Sequence, residues 1–121
     1  MHAVVYLNAA GRSMAAPYYS GQRMARFMEA CVVYRAHLTG ARKGPSSIAH
    51  EILHLYGAWD LYPSRHLTTA QAALAAGAFP NDIMLRQPRD ILTADIGPLT
   101  AWRIGWAPPG EWHEFMRPGA K

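Results

Sequence analysis

The sequence predicts an α+β fold, and two observations carry that expectation. β-branched and aromatic runs lie in the first third of the chain, at "AVVYLN" (residues 3–8) and "ACVVY" (residues 30–34). Helix signals follow them, over residues 47–56 and 69–76. Strands that come first, with helices after, suit an α+β arrangement. The 121 residues fit one domain, half of them are hydrophobic, and 17% are charged. That is a globular composition with enough apolar surface for one core.

The elements justify themselves in order. Residues 3–8 form a strand that stops at Asn8. Residues 9–22, "AAGRSMAAPYYSGQ", are rich in Gly, Ser and Pro and are expected to be a loop. Residues 23–35, "RMARFMEACVVYR", are expected to be a strand because of their "ACVVY" end, and residues 37–47 a turn or loop closed by Gly44-Pro45. A helix runs from Ser47 to Tyr56: Pro45 fixes its entry, and Ser46 or Ser47 can cap the first free N–H groups. No Glu or Gln stands three residues beyond either serine, so a capping box is absent. Gly57 is placed to end this helix in a left-handed conformation. The second helix, residues 69–76, has capping-box spacing at Thr68 and Gln71, an alanine-rich body, and Gly77 as its stop. "FPNDIM" (79–84) carries a turn signal. "LTAWRIGW" (99–106) sets Leu99, Trp102, Arg103 and Trp106 at helical spacing, with the aromatics as a core-facing stripe.

Charge and cysteine content narrow the function classes. The net charge is +4, but the twelve Lys and Arg are spread out and form neither a basic stripe nor a recognisable nucleic-acid module, so no nucleic-acid partner is expected. No apolar stretch approaches the ~20 residues of a membrane-spanning helix, and no membrane association is expected. The run Ala3 to Leu7 is too short for a signal peptide. The default compartment is therefore cytoplasmic, with secretion open to a mature fragment. Cys31 is the one cysteine, which excludes an internal disulfide framework, and in its apolar run it reads as a small buried hydrophobe.

The chemistry concentrates in residues 48–63, "IAHEILHLYGAWDLYP". His50 and His54 are four apart, so on a helix they share one face and can reach one metal ion at about 2.0–2.1 Å. Glu51 projects to the side of that pair and can reach a water on the ion. Gly57 permits a sharp bend that returns the chain under the site, and Asp60 can then supply a third ligand. Shuffling this composition would produce the His-Glu-x-x-His pattern with Gly and Asp at these spacings only about 3 times in 100,000, so chance is a poor explanation of it.

The stretch His50-Glu51-Ile52-Leu53-His54-Leu55-Tyr56-Gly57-Ala58-Trp59-Asp60 resembles the HExxHxxGxxD variant of the metzincin zinc metalloproteases, in the form found in snapalysin-type enzymes. The resemblance implies a zincin-like fold. A small mixed sheet packs on the HExxH helix within residues 1–57, and residues 58–121 carry the third ligand, a Met-turn and a C-terminal helical subdomain. It further implies Met84 as the Met-turn methionine and "ACVVY" as the strand lining the cleft. Tyr62, two positions after the aspartate, would be a hydrogen-bond donor to the reaction's oxyanion. The chain departs from the family in having only 49 residues before His50 and in carrying Arg86 where some members have tyrosine.

The implied function is zinc-dependent hydrolysis of a peptide or protein substrate, with Glu51 as general base. A carboxylate ligand leaves the ion less acidic than a third imidazole would, so the expected pH optimum is no lower than that of three-histidine relatives. The alternative is an inactive or truncated zinc-binding domain with a structural or interaction role. A different HExxH peptidase would take its third ligand from a later helix instead of Asp60. His66, His113 and His37 are secondary candidates for metal or substrate binding. Arg86 is a candidate for a substrate carboxylate and Trp59 for a wall of the pocket. Ser13 has no base partner that would make it a nucleophile.

Overall fold

Side-chain alternation along one central strand sets out the architecture. The computed structural model describes residues 2–16 and 29–110. Strand β3 (Glu29–Ala36) lies between β1 (His2–Ala10), which runs parallel to it, and β2 (Met14–Ala16), which runs antiparallel. Cys31 and Val33 are two apart, so they share one face of the sheet, and both are fully buried. Helix α1 (Pro45–Leu55) covers that face, with Ile48, Ile52 and Leu55 packed against them.

The geometry of α1 explains how one helix serves three surroundings. At about 100° per residue, Ile48, Ile52 and Leu55 fall on one side and Ala49 and Leu53 on a second. His50 and His54 fall on a third, and Glu51 lies between the histidine side and the sheet side. Ala49 and Leu53 pack instead on the larger core, built from Trp59, Leu61, Leu67, Ala75, Phe79, Ile83, Met84 and Leu99. That core is assembled by α2 (Thr69–Ala78), α3 (Pro98–Arg103) and the loops around them, while a 3-10 turn (Ile91–Thr93) between the two helices buries no residue. The result is a small mixed sheet on one side of α1 and a helical half on the other. Among the described residues no helix is long and apolar enough to cross a membrane.

Several local expectations need correction. The loop expected over 9–22 contains the end of β1 and all of β2, while residues 17–22 lie outside the described residues. β2 owes its strand to pairing with β3, since Met-Ala-Ala has little strand preference of its own. β3 begins at Glu29, and residues 23–28 of the expected strand are likewise outside the described range. α1 starts two residues early: Gly44 is its N-cap, Pro45 occupies the first turn, and no side chain caps it. Ser46 lies inside the helix instead, where its hydroxyl donates to the Pro88 carbonyl at 2.6 Å. The capping box of α2 is present as expected, with Thr68 Oγ1 accepting from Gln71 N and Gln71 Oε1 accepting from Thr68 N. Gly77, however, does not stop that helix, which continues to Ala78 and ends against buried Phe79. α3 stops at Arg103, and Trp106 is 72% exposed, so the aromatic stripe reaches only as far as Trp102.

Candidate metal centre

The C-terminal end of α1 is where the sequence bends the chain back. Gly57 has φ +99°, and two bonds close the helix: Gly57 N donates to His54 O at 3.0 Å and Ala58 N to Leu53 O at 3.1 Å. This pair of bonds is the Schellman termination that glycine favours. A Cβ at Gly57 would stand 3.1 Å from the Arg103 carbonyl oxygen, so space as well as φ restricts the position. The segment after the bend returns Asp60 to the histidine side of α1.

Three potential ligand atoms meet there. His50 Nε2 and His54 Nε2 each lie 3.1 Å from Asp60 Oδ1 and 3.2 Å from one another. The rings are nearly perpendicular, at 87°, with centroids 4.7 Å apart. Each ring is oriented by its other nitrogen. His50 Nδ1 lies 3.0 Å from the Ile83 carbonyl oxygen, and His54 Nδ1 lies 2.9 Å from the Ala58 carbonyl oxygen. A carbonyl can only accept, so both Nδ1 atoms carry protons and donate. In the neutral imidazoles both Nε2 lone pairs then face the Asp60 carboxylate. The amide end of Gln87 also stands 3.1 Å from His50 Nδ1.

Asp60 Oδ1 is buried and has no hydrogen-bond donor when the imidazoles are neutral. Three electron-rich atoms at such separations repel unless a positive charge is shared among them. A proton on one imidazole supplies it in one state, and a metal ion supplies it in another. A tetrahedral zinc with ligands at about 2.0–2.1 Å keeps its ligand atoms about 3.3–3.4 Å apart, so the observed triangle fits such an ion with adjustments of a few tenths of an ångström. His50, His54 and Asp60 are the one cluster of this kind among the described residues; no residue of α2 or α3 joins it.

Titration follows the same geometry. Burial alone would push the His54 imidazole down, but hydrogen bonding to Asp60 and Ala58, with the Asp60 charge, holds it above its ordinary value. Burial works against the Asp60 charge too, yet hydrogen bonds from His50, His54 and Tyr62 keep that carboxyl well below the usual range. Glu51 is raised, chiefly by burial, with the two histidines opposing the shift. The Tyr62 phenol is raised strongly by burial and by its hydrogen bond to Asp60.

The remaining sequence candidates are distributed as follows. Glu51 borders clefts on both sides of the cluster. Tyr62 lines both clefts, and its ring lies parallel to His50 at 6.5 Å between centroids. Met84 is fully buried, and its carbonyl accepts from Leu61 N at 3.0 Å, next to Asp60. The strand bordering the cleft is β2 with its approach, through Ser13, Met14 and Ala15; β3, expected in that place, is flanked on both edges. Trp59 belongs to the core instead of the pocket wall, at 8% exposure, with Arg103 stacked 4.3 Å from its ring centroid. His66 stacks on Trp59 and stays out of the ligand cluster. His37 lines the cleft. Ser13 receives a hydrogen bond from Lys43 Nζ at 2.7 Å. Arg86 is exposed and borders neither cleft, and His113 lies outside the described residues.

Sequence reasoning missed Asp82. This carboxylate is 1% exposed and accepts from Met84 N at 2.8 Å, Gly97 N at 2.9 Å and Thr100 Oγ1 at 2.8 Å. It ties the 82–84 turn, whose Ile83 carbonyl orients His50, to the start of α3. Its bond to Met84 N, two residues on, is the Asx-type bond that a Pro-Asn-Asp turn signal foreshadows, but its other two partners are distant in sequence.

Compared with protein-family models, with curated proteins and with solved structures, the chain matches none.

Proposed function

We propose that this chain is a zincin-like zinc metallopeptidase of the metzincin type, with His50, His54 and Asp60 as metal ligands and Glu51 as general base. The observation that carries the proposal is the buried Asp60 Oδ1, 3.1 Å from two imidazole nitrogens whose neighbouring ring protons are committed to backbone carbonyls. A structural zinc site would be closed by a fourth protein ligand, whereas three ligands beside a cleft leave a position for water and substrate. The placement of a small mixed sheet on α1 agrees with the same reading.

Zinc bound at these residues would supply a Lewis acid for the scissile carbonyl and raise the acidity of water. Glu51 would accept that water's proton on its carboxylate and then deliver it to the leaving amine. The burial that raises its carboxyl brings it closer to the working range of a general base. The Tyr62 hydroxyl, hydrogen-bonded to Asp60 at rest, lines the cleft and would turn to the oxygen that gains negative charge. Such a donor is typically worth about 3 kcal/mol. His50 and His54 stay fixed through the step by their Nδ1–H bonds, which prevents the ring rotation that would disperse the ligands.

The test is metal analysis of wild type and Glu51→Ala, with a broad peptide digestion assay on each. Equal zinc in both, and cleavage by wild type alone, is the expected result. Zinc in both with no cleavage by either would favour a non-catalytic zinc-binding domain, and absence of metal from both would remove the proposal.

A further inference from the structure

The cleft beside Glu51 is walled by cations. A cavity of about 380 Å³ lies against His50, Glu51 and Tyr62 and has Arg12 and Lys43 in its lining. Through Lys43, Ser47 and Gln87 it continues into a hollow of about 410 Å³ that is bordered by Arg42 and Arg89. Among the described residues of the two linings the one carboxylate is Glu51, which the proposed reaction commits as base. Lys43 is not a loose surface lysine: its Nζ donates to the Gly11 carbonyl at 2.9 Å and to Ser13 Oγ at 2.7 Å, which fixes the charge at the mouth of the cleft.

Among the described residues, the other acidic groups line neither hollow. Asp82 is committed inside the core, and Asp95 borders an apolar groove lined by Ala49 and Leu53, on a different face of α1. Asp90 has one carboxylate oxygen engaged with Leu92 N. Low-dielectric walls carrying one sign of charge concentrate the field in the groove and select an occupant of the opposite sign. The groove follows α1 from Glu51 back to Pro45. Six helical residues rise about 9 Å, and an extended peptide covers that distance in about three residues.

We propose that the groove selects peptides with an anionic side chain, carboxylate or phosphoryl, about three residues from the scissile bond, held by Arg42 and Arg89. This rests on the peptidase reading. Guanidinium groups suit both anions because their N–H pairs match two oxygens at once.

The zinc-loaded protein is given matched ten-residue peptides that differ only at that position: Glu, phosphoserine, Gln or Lys. The expected result is kcat/KM at least 10-fold higher for the Glu or phosphoserine peptide than for Gln, carried by KM, with Lys lowest; the larger of the two anionic rates identifies the source. The Arg42→Glu, Arg89→Glu double variant is expected to reverse the order and favour Lys. Equal rates for Glu, Gln and Lys in wild type, or an order unchanged in the double variant, would overturn the inference. If wild type cleaves no peptide, the peptidase reading fails and binding decides this one. In fluorescence anisotropy, an acidic peptide bound at least 10-fold more tightly than its Gln form upholds it. A single-stranded oligonucleotide of equal charge bound more tightly than the acidic peptide overturns it.

Discussion

His50 is steered from outside its own helix: its Nδ1–H donates to the carbonyl of Ile83, 3.0 Å away and 33 residues later. Ile83 stands in a turn whose fold depends on Asp82, and the same turn receives Leu61 N through the Met84 carbonyl at 3.0 Å. One buried carboxylate thus sets the ring angle of His50 and anchors the chain beside Asp60.

Asp82→Asn is therefore expected to weaken zinc binding although it touches no metal ligand. An amide presents a donor where Met84 N, or Gly97 N and Thr100 Oγ1, need an acceptor. The expected cost is about 1–3 kcal/mol of folding stability, with a loss of about 10–100-fold in zinc affinity. Urea midpoints and competition against a chromophoric chelator measure the two. Unchanged affinity would show that the Ile83 carbonyl does not depend on Asp82.

Gly57→Ala tests the bend. At φ +99° an alanine pays about 1–2 kcal/mol for its Cβ, and the Arg103 carbonyl 3.1 Å away must also yield. A lower melting temperature together with weaker zinc binding is the expected pair of results. Loss of stability without loss of metal would mean that Asp60 reaches the site by another route.

Zinc uptake should depend on pH through His54. Its imidazole is held above the ordinary value in the metal-free protein, so near and below pH 6.5 it carries a proton that metal must displace. Affinity is expected to fall as pH drops through that range, by up to about tenfold per unit, with proton release on binding. Isothermal titration in buffers of different ionisation enthalpy counts those protons. An affinity flat from pH 5 to 7 would contradict the geometry. For folding without metal the sign is the same as for any raised histidine: the His54–Asp60 interaction stabilises below the imidazole's unfolded value and is lost as pH rises through its folded one.

Tyr62→Phe separates two roles for the phenol. A donor that acts at the transition state predicts a fall in kcat of about 100-fold or more with KM little altered. If the hydroxyl serves only to hold Asp60, zinc affinity would fall while the rate per bound zinc stayed the same. The first outcome is expected, because Tyr62 lines both clefts beside Glu51.

The residues that meet at the centre were legible in the sequence because they are close along it. His50 and His54 are joined by helical periodicity, and Gly57 announces the bend that returns Asp60 to them. Thr68 and Gln71 were legible for the same reason, a local bond at a fixed spacing. What sequence hid depends on distant partners. β2 is a strand only because β3 offers it an edge. Gly77 stays helical because Phe79 is held in the core beyond it. Asp82 matters through Gly97 and Thr100, fifteen and eighteen residues away.

The proposed ligand set spans only eleven consecutive residues, from His50 to Asp60. Chelation there closes short loops, so it removes little freedom from an unfolded chain. An ion bound as proposed would meet all three donors once residue 60 has left the ribosome, before the turn that orients His50 has emerged from it. Loading and final alignment would then be separate events, the first local and early, the second awaiting the emergence of the nascent chain's later half.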